Sequence, residues 1–242
     1  MKFVYQITVT FLILLVFGLV STSLRLISFG LLVPFNRKVL TVISSKLILK
    51  TIGFRLVLPN YLTPLQPTLI TFNHNSLLDI FSLTALGLNV PFLLSEKTLK
   101  LIPLTLTAFG MGVIYIPQKK HPKRRARFFN RLEKRIKRKP MSFAGSSEGV
   151  HEYINGIAEF NTEVYRIALG GNLNISPLFV YIPKEFDNLD NYTSVKGGVI
   201  EVCRMQPNSV KNWTLENIEE KVGEMRLKFV EFYNKKHNSQ SI

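Results

Sequence analysis

The 242-residue chain is short of two kinds of residue, and each shortage narrows what the protein can be. It contains one cysteine, Cys203, so an intrachain disulfide and a cysteine-rich metal site are both excluded. We expect Cys203 to be a small buried hydrophobe, because it lies in an apolar run. Acidic residues are also scarce, since 16 Asp and Glu face 31 Lys and Arg, for a formal net charge of +15. This surplus predicts an anionic partner, such as a membrane surface, a nucleic acid or an acidic protein.

Charge is absent from residues 3 to 24, and this stretch is mostly aliphatic. About 20 apolar residues span a bilayer as a helix, so the stretch is long enough to be a retained membrane segment. A cleaved signal peptide is the alternative. Against it, apolar sequence resumes soon after the small residues Ser21-Thr22-Ser23, where a signal peptide would be cut.

Basic residues follow this segment and give it an orientation. Lys2 precedes it, whereas the residues after it include Arg25, Arg37, Lys38, Lys46 and Lys50. The positive-inside rule then places the rest of the chain in the cytoplasm, at the inner membrane if the source is bacterial. A second apolar helix is predicted from Arg37 to Thr51, ended by Gly53. Residues 1–52 are thus expected to be membrane-associated, as one crossing helix or as a two-helix hairpin in one leaflet, and residues 53–242 form the other domain.

Short apolar runs alternate with helical stretches after Gly53, a pattern typical of an α/β sheet covered by helices. The predicted strands are Phe54–Leu58, Thr68–Phe72, Val90–Leu94, Gly112–Ile116, Met141–Phe143, Ile175–Tyr181 and Gly198–Met205. The predicted helices between them are Ser76–Leu88, Pro122–Lys139 and Thr162–Leu169. A last helix is expected after Thr214, which can cap it, with an apolar stripe made of Leu215, Ile218, Val222, Met225, Phe229 and Phe232. We therefore predict an α/β fold with a mixed sheet flanked by helices.

The sharpest chemical signal is the polar turn Asn73-His74-Asn75-Ser76 between a predicted strand and a predicted helix, with Asp79 shortly after it. On a straight helix His74 and Asp79 would be about 140° apart around the axis and would not meet. If His74 lies in the turn, its ring can fold back toward Asp79. A carboxylate on one imidazole nitrogen fixes the tautomer and makes the other nitrogen a base for a substrate hydroxyl. A surface turn with a helix-capping histidine is the structural alternative.

This stretch resembles the His-x4-Asp signature of the glycerolipid acyltransferases, whose best-known members acylate lysophosphatidate. Three more blocks follow in the family's order, so the resemblance covers about residues 50–205. The second block is similar to Gly112-Val113-Ile114-Tyr115-Ile116-Pro117-Gln118, and the Pro-Glu-Gly-Thr-Arg block to Ser147-Glu148-Gly149-Val150-His151. The Phe-Lys-x-Gly helix and the proline-containing fourth block are similar to Phe160 with residues 165–171, and to Ile175-Ser176-Pro177-Leu178.

The resemblance implies transfer of a fatty acyl group from a thioester to a hydroxyl of a lysophospholipid at a membrane. The thioester would be acyl-CoA or an acyl carrier protein, and no metal or other cofactor is implied. His74 would be the general base and Asp79 its orienting partner. The residues expected to bind substrate are Gln118, Glu148, Gly149 and His151.

The chain departs from the family pattern at the positions that bind the acceptor's phosphate. Gln118 replaces the arginine of the second block, and His151 replaces the arginine of the third. Asn161 and Glu163 replace the lysine and glycine of Phe-Lys-x-Gly. Arginine offers a rigid charged fork for phosphate that glutamine lacks and neutral histidine replaces only in part. We therefore expect lysophosphatidate not to be the only acceptor, and a zwitterionic lysolipid or an acceptor without a terminal phosphate are the alternatives.

Gly145-Ser146-Ser147-Glu148-Gly149 matches the Gly-x-Ser-x-Gly nucleophile elbow and suggests an alternative, a membrane-anchored lipase or esterase of the α/β-hydrolase type. Ser147 would be the nucleophile, with Asp187 or Asp190 and then His237 as its partners. Residues 153–156 carry a turn signal where the elbow needs a helix. His237 is also predicted to lie beyond the final helix.

Twelve cations occur between Lys119 and Lys139, interrupted by an apolar stripe of Phe128, Phe129, Leu132 and Ile136. The stripe predicts a helix docked on the sheet with its cations turned outward. Anionic phospholipid is the simplest partner for these cations, and an acidic acyl carrier protein is another. Nucleic acid is not expected, because no recognised binding motif accompanies the charge.

Overall fold

The computed structural model describes residues 2–60, 66–74, 76, 78–149, 156–182 and 197–238. In chain order its elements are α1 (Lys2–Ile27), α2 (Val33–Phe35), a π-helical segment (Asn36–Leu40), α3 (Thr41–Ile52), β1 (Arg55–Val57), β2 (Thr68–Phe72), α4 (Asp79–Thr84), β3 (Leu93–Ser95), a 3-10 helix (Glu96–Lys100), α5 (Ile102–Gly110), β4 (Ile114–Ile116), α6 (Pro122–Arg138), β5 (Phe143–Ser146), α7 (Thr162–Gly170), β6 (Asn174–Tyr181), β7 (Val199–Arg204) and α8 (Ile218–Asn238).

The chain divides into two compact units. The first unit comprises residues 1–63, 78–115 and 182–202, and so holds α1 to α3, β1, α4, β3 and α5. The second comprises residues 64–77, 116–181 and 203–242, and holds β2, α6, β5, α7, β6 and α8. Strand β7 is shared, because its first four residues fall in the first unit and its last two in the second.

The main sheet has five strands in the order β1-β7-β6-β2-β5, and β3 and β4 form a separate two-stranded sheet. Strand β2 pairs in parallel with both β5 and β6, and β1 pairs in parallel with β7. The chain that continues from β7 runs antiparallel to β6, since Ile175 and Asn208 form an antiparallel bridge. The predicted α/β fold with a mixed sheet and flanking helices is confirmed.

Several predicted elements differ from the observed ones. Helix α4 begins at Asp79 instead of residue 76, and α5 was not among the predicted helices. Helix α8 continues to Asn238, so the prediction that His237 lies beyond the final helix is wrong. Leu215 is exposed and does not belong to the buried stripe of that helix, because regular helix starts only at Ile218. Cys203 is half-buried, so it is less enclosed than expected.

In the first unit α1 is followed by a reversal and a second helical run that returns alongside it. The reversal uses left-handed backbone at Phe29 (φ 51°) and Gly30 (φ 87°). Near the other end of this hairpin the Gln6 side chain donates to the carbonyl of Ile52 at 3.0 Å. Leu31 and Phe29 are 83% and 96% exposed, so the tip of the hairpin presents bare apolar side chains. Gly53 ends the second run in left-handed conformation (φ 101°).

Small residues allow α1 and α5 to approach closely. A Cβ added at Gly18 would lie 2.9 Å from the Leu106 Cβ, and one added at Gly110 would lie 2.6 Å from the Ser21 Cβ. Thr22 Oγ1 donates to the Leu106 carbonyl across this crossing at 2.9 Å.

A buried asparagine joins the hairpin to the end of α5. The side-chain amide of Asn36 donates to the carbonyls of Ser21 and Gly110, at 2.9 Å each. Two arginines bind the carbonyls on either side of Gly110: Arg25 donates to that of Phe109, and Arg37 donates to that of Met111 at 2.7 Å. Cations are favoured at this end of a helix, where backbone carbonyls have no intrahelical donors.

In the second unit every residue of β2 is buried, which is expected of a central strand covered on both faces. Helix α6 turns Phe129, Leu132 and Ile136 inward, as its apolar stripe predicts. Helix α8 buries Phe229, whose ring lies 5.2 Å from that of Phe160 and 6.1 Å from that of Phe179. These aromatic contacts hold the C-terminal helix against β6 and the segment before α7, in the unit that carries His74.

The close crossing of α1 and α5 predicts a strong effect of one methyl group. Gly110→Ala should lower the free energy of unfolding by about 1–3 kcal/mol, because the Ser21 Cβ and backbone cannot withdraw as a flexible side chain could. Chemical denaturation in a mild detergent measures the change. Gly223→Ala in α8 is the control, since a Cβ there meets nothing within 4 Å. It should raise the stability by about 0.5–1 kcal/mol. Equal stability of Gly110→Ala and the parent protein would show that the helices have room to separate.

Candidate active site

The position of His74 depends on the residue before it. Asn73 follows the last residue of β2, and its side chain is completely buried. Its amide nitrogen donates to the carbonyl of Val180 at 2.9 Å, and its amide oxygen accepts the N–H of Val180 at 2.7 Å. This paired contact continues the β2–β6 ladder through a side chain. The point at which the chain leaves the sheet is thereby fixed.

A buried carboxylate holds the backbone of His74 itself. Glu148 is 3% exposed, and its Oε1 accepts the backbone N–H of His74 at 2.8 Å. Its Oε2 accepts the N–H of Ala158 at 3.2 Å. Both oxygens therefore bind backbone amides, an arrangement that offsets the cost of burying the charge. Two of the predicted site residues, His74 and Glu148, are brought together in this way.

The C-terminal helix α8 stabilises the segment that binds Glu148. Arg226 of α8 donates to the carbonyls of Ile157 and Ala158, at 3.0 Å each. The N–H of Ala158 in turn binds Glu148. A chain of contacts thus leads from Arg226 to the backbone of His74. This role could not be predicted from the sequence, because Arg226 lies outside every motif.

His74 lies two residues after the end of β2, outside regular secondary structure, and its side chain is half-buried. Asp79 is 1% exposed and is the first residue of α4. A carboxylate at that position is favoured by the unsatisfied N–H groups at the start of the helix.

Gly149 extends the loop that begins with Glu148. Its φ is +68°, a conformation that few residues other than glycine adopt, and a Cβ there would lie 2.9 Å from the amide nitrogen of Asn161. The N–H of Asn161 donates to the Ser147 carbonyl at 2.7 Å. The Asn161 side chain caps α7 by accepting the N–H of Glu163 at 2.9 Å. Asn161, which replaces a lysine of the family pattern, therefore joins Ser147 and Gly149 to the start of α7.

Gln118 is half-buried and follows β4 by two residues. The preceding carbonyl, that of Pro117, accepts a hydrogen bond from Arg125 of α6 at 3.1 Å. Arg125 also forms an ion pair with Glu163. His151, the remaining predicted substrate-binding residue, lies outside the described residues.

Ser147 is not placed as a nucleophile. Its side chain is completely buried, and its Oγ accepts the hydroxyl proton of Tyr165 at 2.9 Å. Burial raises the pKa of the Tyr165 hydroxyl, so this group stays neutral and remains a donor. The proposed partner His237 belongs to α8, and Asp187 and Asp190 lie outside the described residues. The elbow motif is therefore a buried structural turn among the described residues.

A small apolar cavity of about 30 Å³ lies within the first unit. Helix α4 contributes Ile80 and Phe81, which come directly after Asp79 in the chain. Leu14 of α1 and Leu104 of α5 form other parts of the lining. The sequence offered no signal for this cavity, because its lining comes from helices far apart in the chain.

No protein-family model matches the chain, and no curated protein matches it in sequence. Among solved structures, the 1-acyl-sn-glycerophosphate (LPA) acyltransferase PlsC from Thermotoga maritima matches with a TM-score of 0.65. The match covers 97% of this chain and 98% of that chain, at 14% sequence identity. The chain therefore has the glycerolipid acyltransferase fold, as the motif resemblance implied.

The contacts of Glu148 predict that glutamine is a poor replacement there, although it has the same shape. An amide offers one acceptor oxygen, so either His74 or Ala158 would face an NH₂ group with its own N–H. Glu148→Gln should therefore cost about 1–3 kcal/mol of unfolding free energy. It should also speed hydrogen exchange at the amides of His74 and Ala158. Denaturation and amide exchange measure the two effects, with the exposed Glu231→Gln as control. Unchanged exchange at both amides would contradict this role.

Proposed function

We propose that this protein is a membrane-bound acyltransferase that moves a fatty acyl group from a thioester to a hydroxyl of a lysophospholipid. The observation that carries the proposal is the glycerolipid acyltransferase fold with a His-x4-Asp sequence at the end of β2. In this fold His74 occupies a turn whose backbone is held by Glu148. Asp79 is buried at the start of the next helix. These are the features that a base and its orienting carboxylate need.

The reaction requires one proton relay. His74 takes the proton of the acceptor hydroxyl, and the oxygen then forms a bond to the carbonyl carbon of the thioester. The carbon–sulfur bond breaks, and the protonated imidazole gives its proton to the leaving thiolate. Asp79 keeps the imidazole in the tautomer that can accept the proton and stabilises the imidazolium that forms. The histidine ends as it began, and no acyl-enzyme is needed.

The cavity of the first unit supports a fatty acyl substrate. Its lining is mostly apolar, and it is contributed in part by α4, the helix that starts with Asp79. Apolar burial is roughly proportional to the area removed from water, so a hydrocarbon chain would be stabilised by contact with this lining. The donor would be acyl-CoA or an acyl carrier protein, both of which carry the acyl group as a thioester.

Helix α1 supports attachment to a membrane, because it is long and apolar enough to cross one and most of its surface is exposed. Its close packing against α5, a helix that lies between β3 and β4, favours a hairpin in one leaflet over a crossing helix. The exposed tip at Phe29 and Leu31 would enter the hydrocarbon. The remaining chain would then lie on the cytoplasmic side.

Helix α6 supports an anionic partner of the protein. Of the twelve cations between Lys119 and Lys139, eleven are exposed and Arg125 is half-buried. Anionic phospholipid is the partner that suits a helix with cations along its whole outer face. An acidic acyl carrier protein would be recognised by the same charge.

Removal of the base should nearly abolish acyl transfer. His74→Ala is expected to lower kcat by about 10²–10⁴-fold, the range usual for a general base. Asp79→Asn should also lower kcat, because the imidazole loses its charged partner. His121→Ala, at an exposed histidine, is the control and should leave the rate unchanged.

Acyl transfer to lysophospholipids in mixed micelles, with circular dichroism to verify folding, measures these effects. Full activity of folded His74→Ala would refute the mechanism. Loss of a lipid-hydrolysing activity in Ser147→Ala, with His74 dispensable, would instead indicate the hydrolase.

Membrane binding should survive high salt, because apolar burial is not screened as surface charge is. The full-length chain is expected to stay with vesicles after a 1 M salt wash, roughly the concentration at which the Debye length falls to 3 Å. Phe29→Lys combined with Leu31→Lys should release it, because both side chains would carry charge into the hydrocarbon. Lys134→Gln in α6 is the control and should weaken binding only at low salt. Release of the unaltered protein by salt alone would contradict insertion of the hairpin.

A further inference from the structure

Arg125 is the cation of the basic helix α6 that turns away from solvent. Its side chain is 11% exposed, and all of its guanidinium nitrogens donate hydrogen bonds. Nε donates to the carboxylate of Glu163 at 2.9 Å, and one terminal nitrogen binds the same carboxylate. The other terminal nitrogen donates to the carbonyl of Pro117 at 3.1 Å. The charge of Arg125 is therefore neutralised within the protein.

The two ends of this ion pair reach the two segments in which acceptor-binding residues are expected. On one side Arg125 binds the carbonyl of Pro117, the residue before Gln118. On the other side the amide of Asn161 donates to the Glu163 carboxylate at 3.1 Å, and the same amide lies against Gly149. The Glu163 side chain is 31% exposed, so the electrostatic potential of the ion pair also acts at the protein surface.

We propose that the Arg125–Glu163 ion pair determines which acceptor head groups the enzyme accepts, an inference that rests on the proposed acyltransferase function. With both charges present the pair contributes no net charge beside Gln118 and Gly149. A head group without net charge, such as the phosphocholine of a zwitterionic lysolipid, needs no compensating charge from the protein and is therefore favoured at this position. The phosphomonoester of lysophosphatidate carries between one and two negative charges and receives no compensating charge from the pair.

The two partners of the pair have opposite expected effects on substrate choice. Glu163→Gln keeps the shape of the side chain and leaves Arg125 with an uncompensated positive charge, so lysophosphatidate should be used better relative to lysophosphatidylcholine. Arg125→Met leaves Glu163 with an uncompensated negative charge, so lysophosphatidate should be used worse. A pair with a purely structural role would instead impair both acceptors in both variants.

The experiment compares kcat/KM for lysophosphatidate and lysophosphatidylcholine with one acyl thioester, on the full chain in micelles of a neutral detergent. We expect the kcat/KM ratio of lysophosphatidate to lysophosphatidylcholine to rise roughly threefold or more in Glu163→Gln and to fall by a similar factor in Arg125→Met. The effect is moderate because water partly screens the charge. Both shifts should shrink as salt is added, because exposed charge is screened. Arg125→Lys keeps the charge and should keep the ratio within about twofold of the unaltered protein.

Two controls separate this effect from a change in overall charge. Lys134→Met removes a cation from the exposed face of α6, and Glu231→Gln removes an exposed carboxylate from α8. Neither should move the ratio. Ratios that are unchanged in Glu163→Gln and Arg125→Met, or that move in the same direction, would overturn this inference while leaving the acyltransferase function in place. If Arg125→Met does not fold, the direction of the shift in Glu163→Gln decides alone. Absence of acyl transfer to either acceptor by the unaltered protein would refute the proposed function itself.

Discussion

The buried carboxylate of Glu148 is the constraint on which the arrangement around His74 depends. A carboxylate is buried at acceptable cost only when its oxygens accept hydrogen bonds, and here backbone amides from two different loops meet that need. Because a carboxylate accepts and does not donate, it tolerates two N–H groups that no neutral side chain of the same size would satisfy. The requirement of one buried charge is therefore what brings the turn after β2 and the segment around Ala158 together.

Two arginines of the same unit bind backbone carbonyls with their guanidinium groups. Arg226 binds two successive carbonyls, and Arg125 binds one carbonyl and one carboxylate. The planar guanidinium suits this task because its donors are fixed in direction, so each arginine sets the angle between the segments it joins. In a protein with so large a positive charge, these two residues work inside the fold while most cations of α6 face solvent.

The sequence carried enough information for elements whose pattern is local. Strand β2 and helix α6 were predicted nearly to the residue, because an uninterrupted apolar run and a stripe of three-and-four spacing each have one simple interpretation. Helix α5 was not predicted, because it is mostly apolar and its sequence shows no alternation between a polar and an apolar face. The His-x4-Asp turn was found by its motif. The roles of Asn73, Arg125 and Arg226 were not, because each of them binds backbone groups, and a backbone partner leaves no trace in the sequence.

The crossing of α1 with α5 has a consequence for the order of events during synthesis. Thr22 and its partner Leu106 are 84 residues apart, so α1 leaves the ribosome well before the helix that receives it exists. At about 5–20 residues per second, this interval lasts roughly 4–17 s. A helix as apolar as α1 needs another apolar surface to contact during this interval, because α5 has not yet been synthesised. Lipid fits this requirement, so the bilayer would serve the nascent chain as a temporary substitute for α5, before it serves the folded protein as a surface.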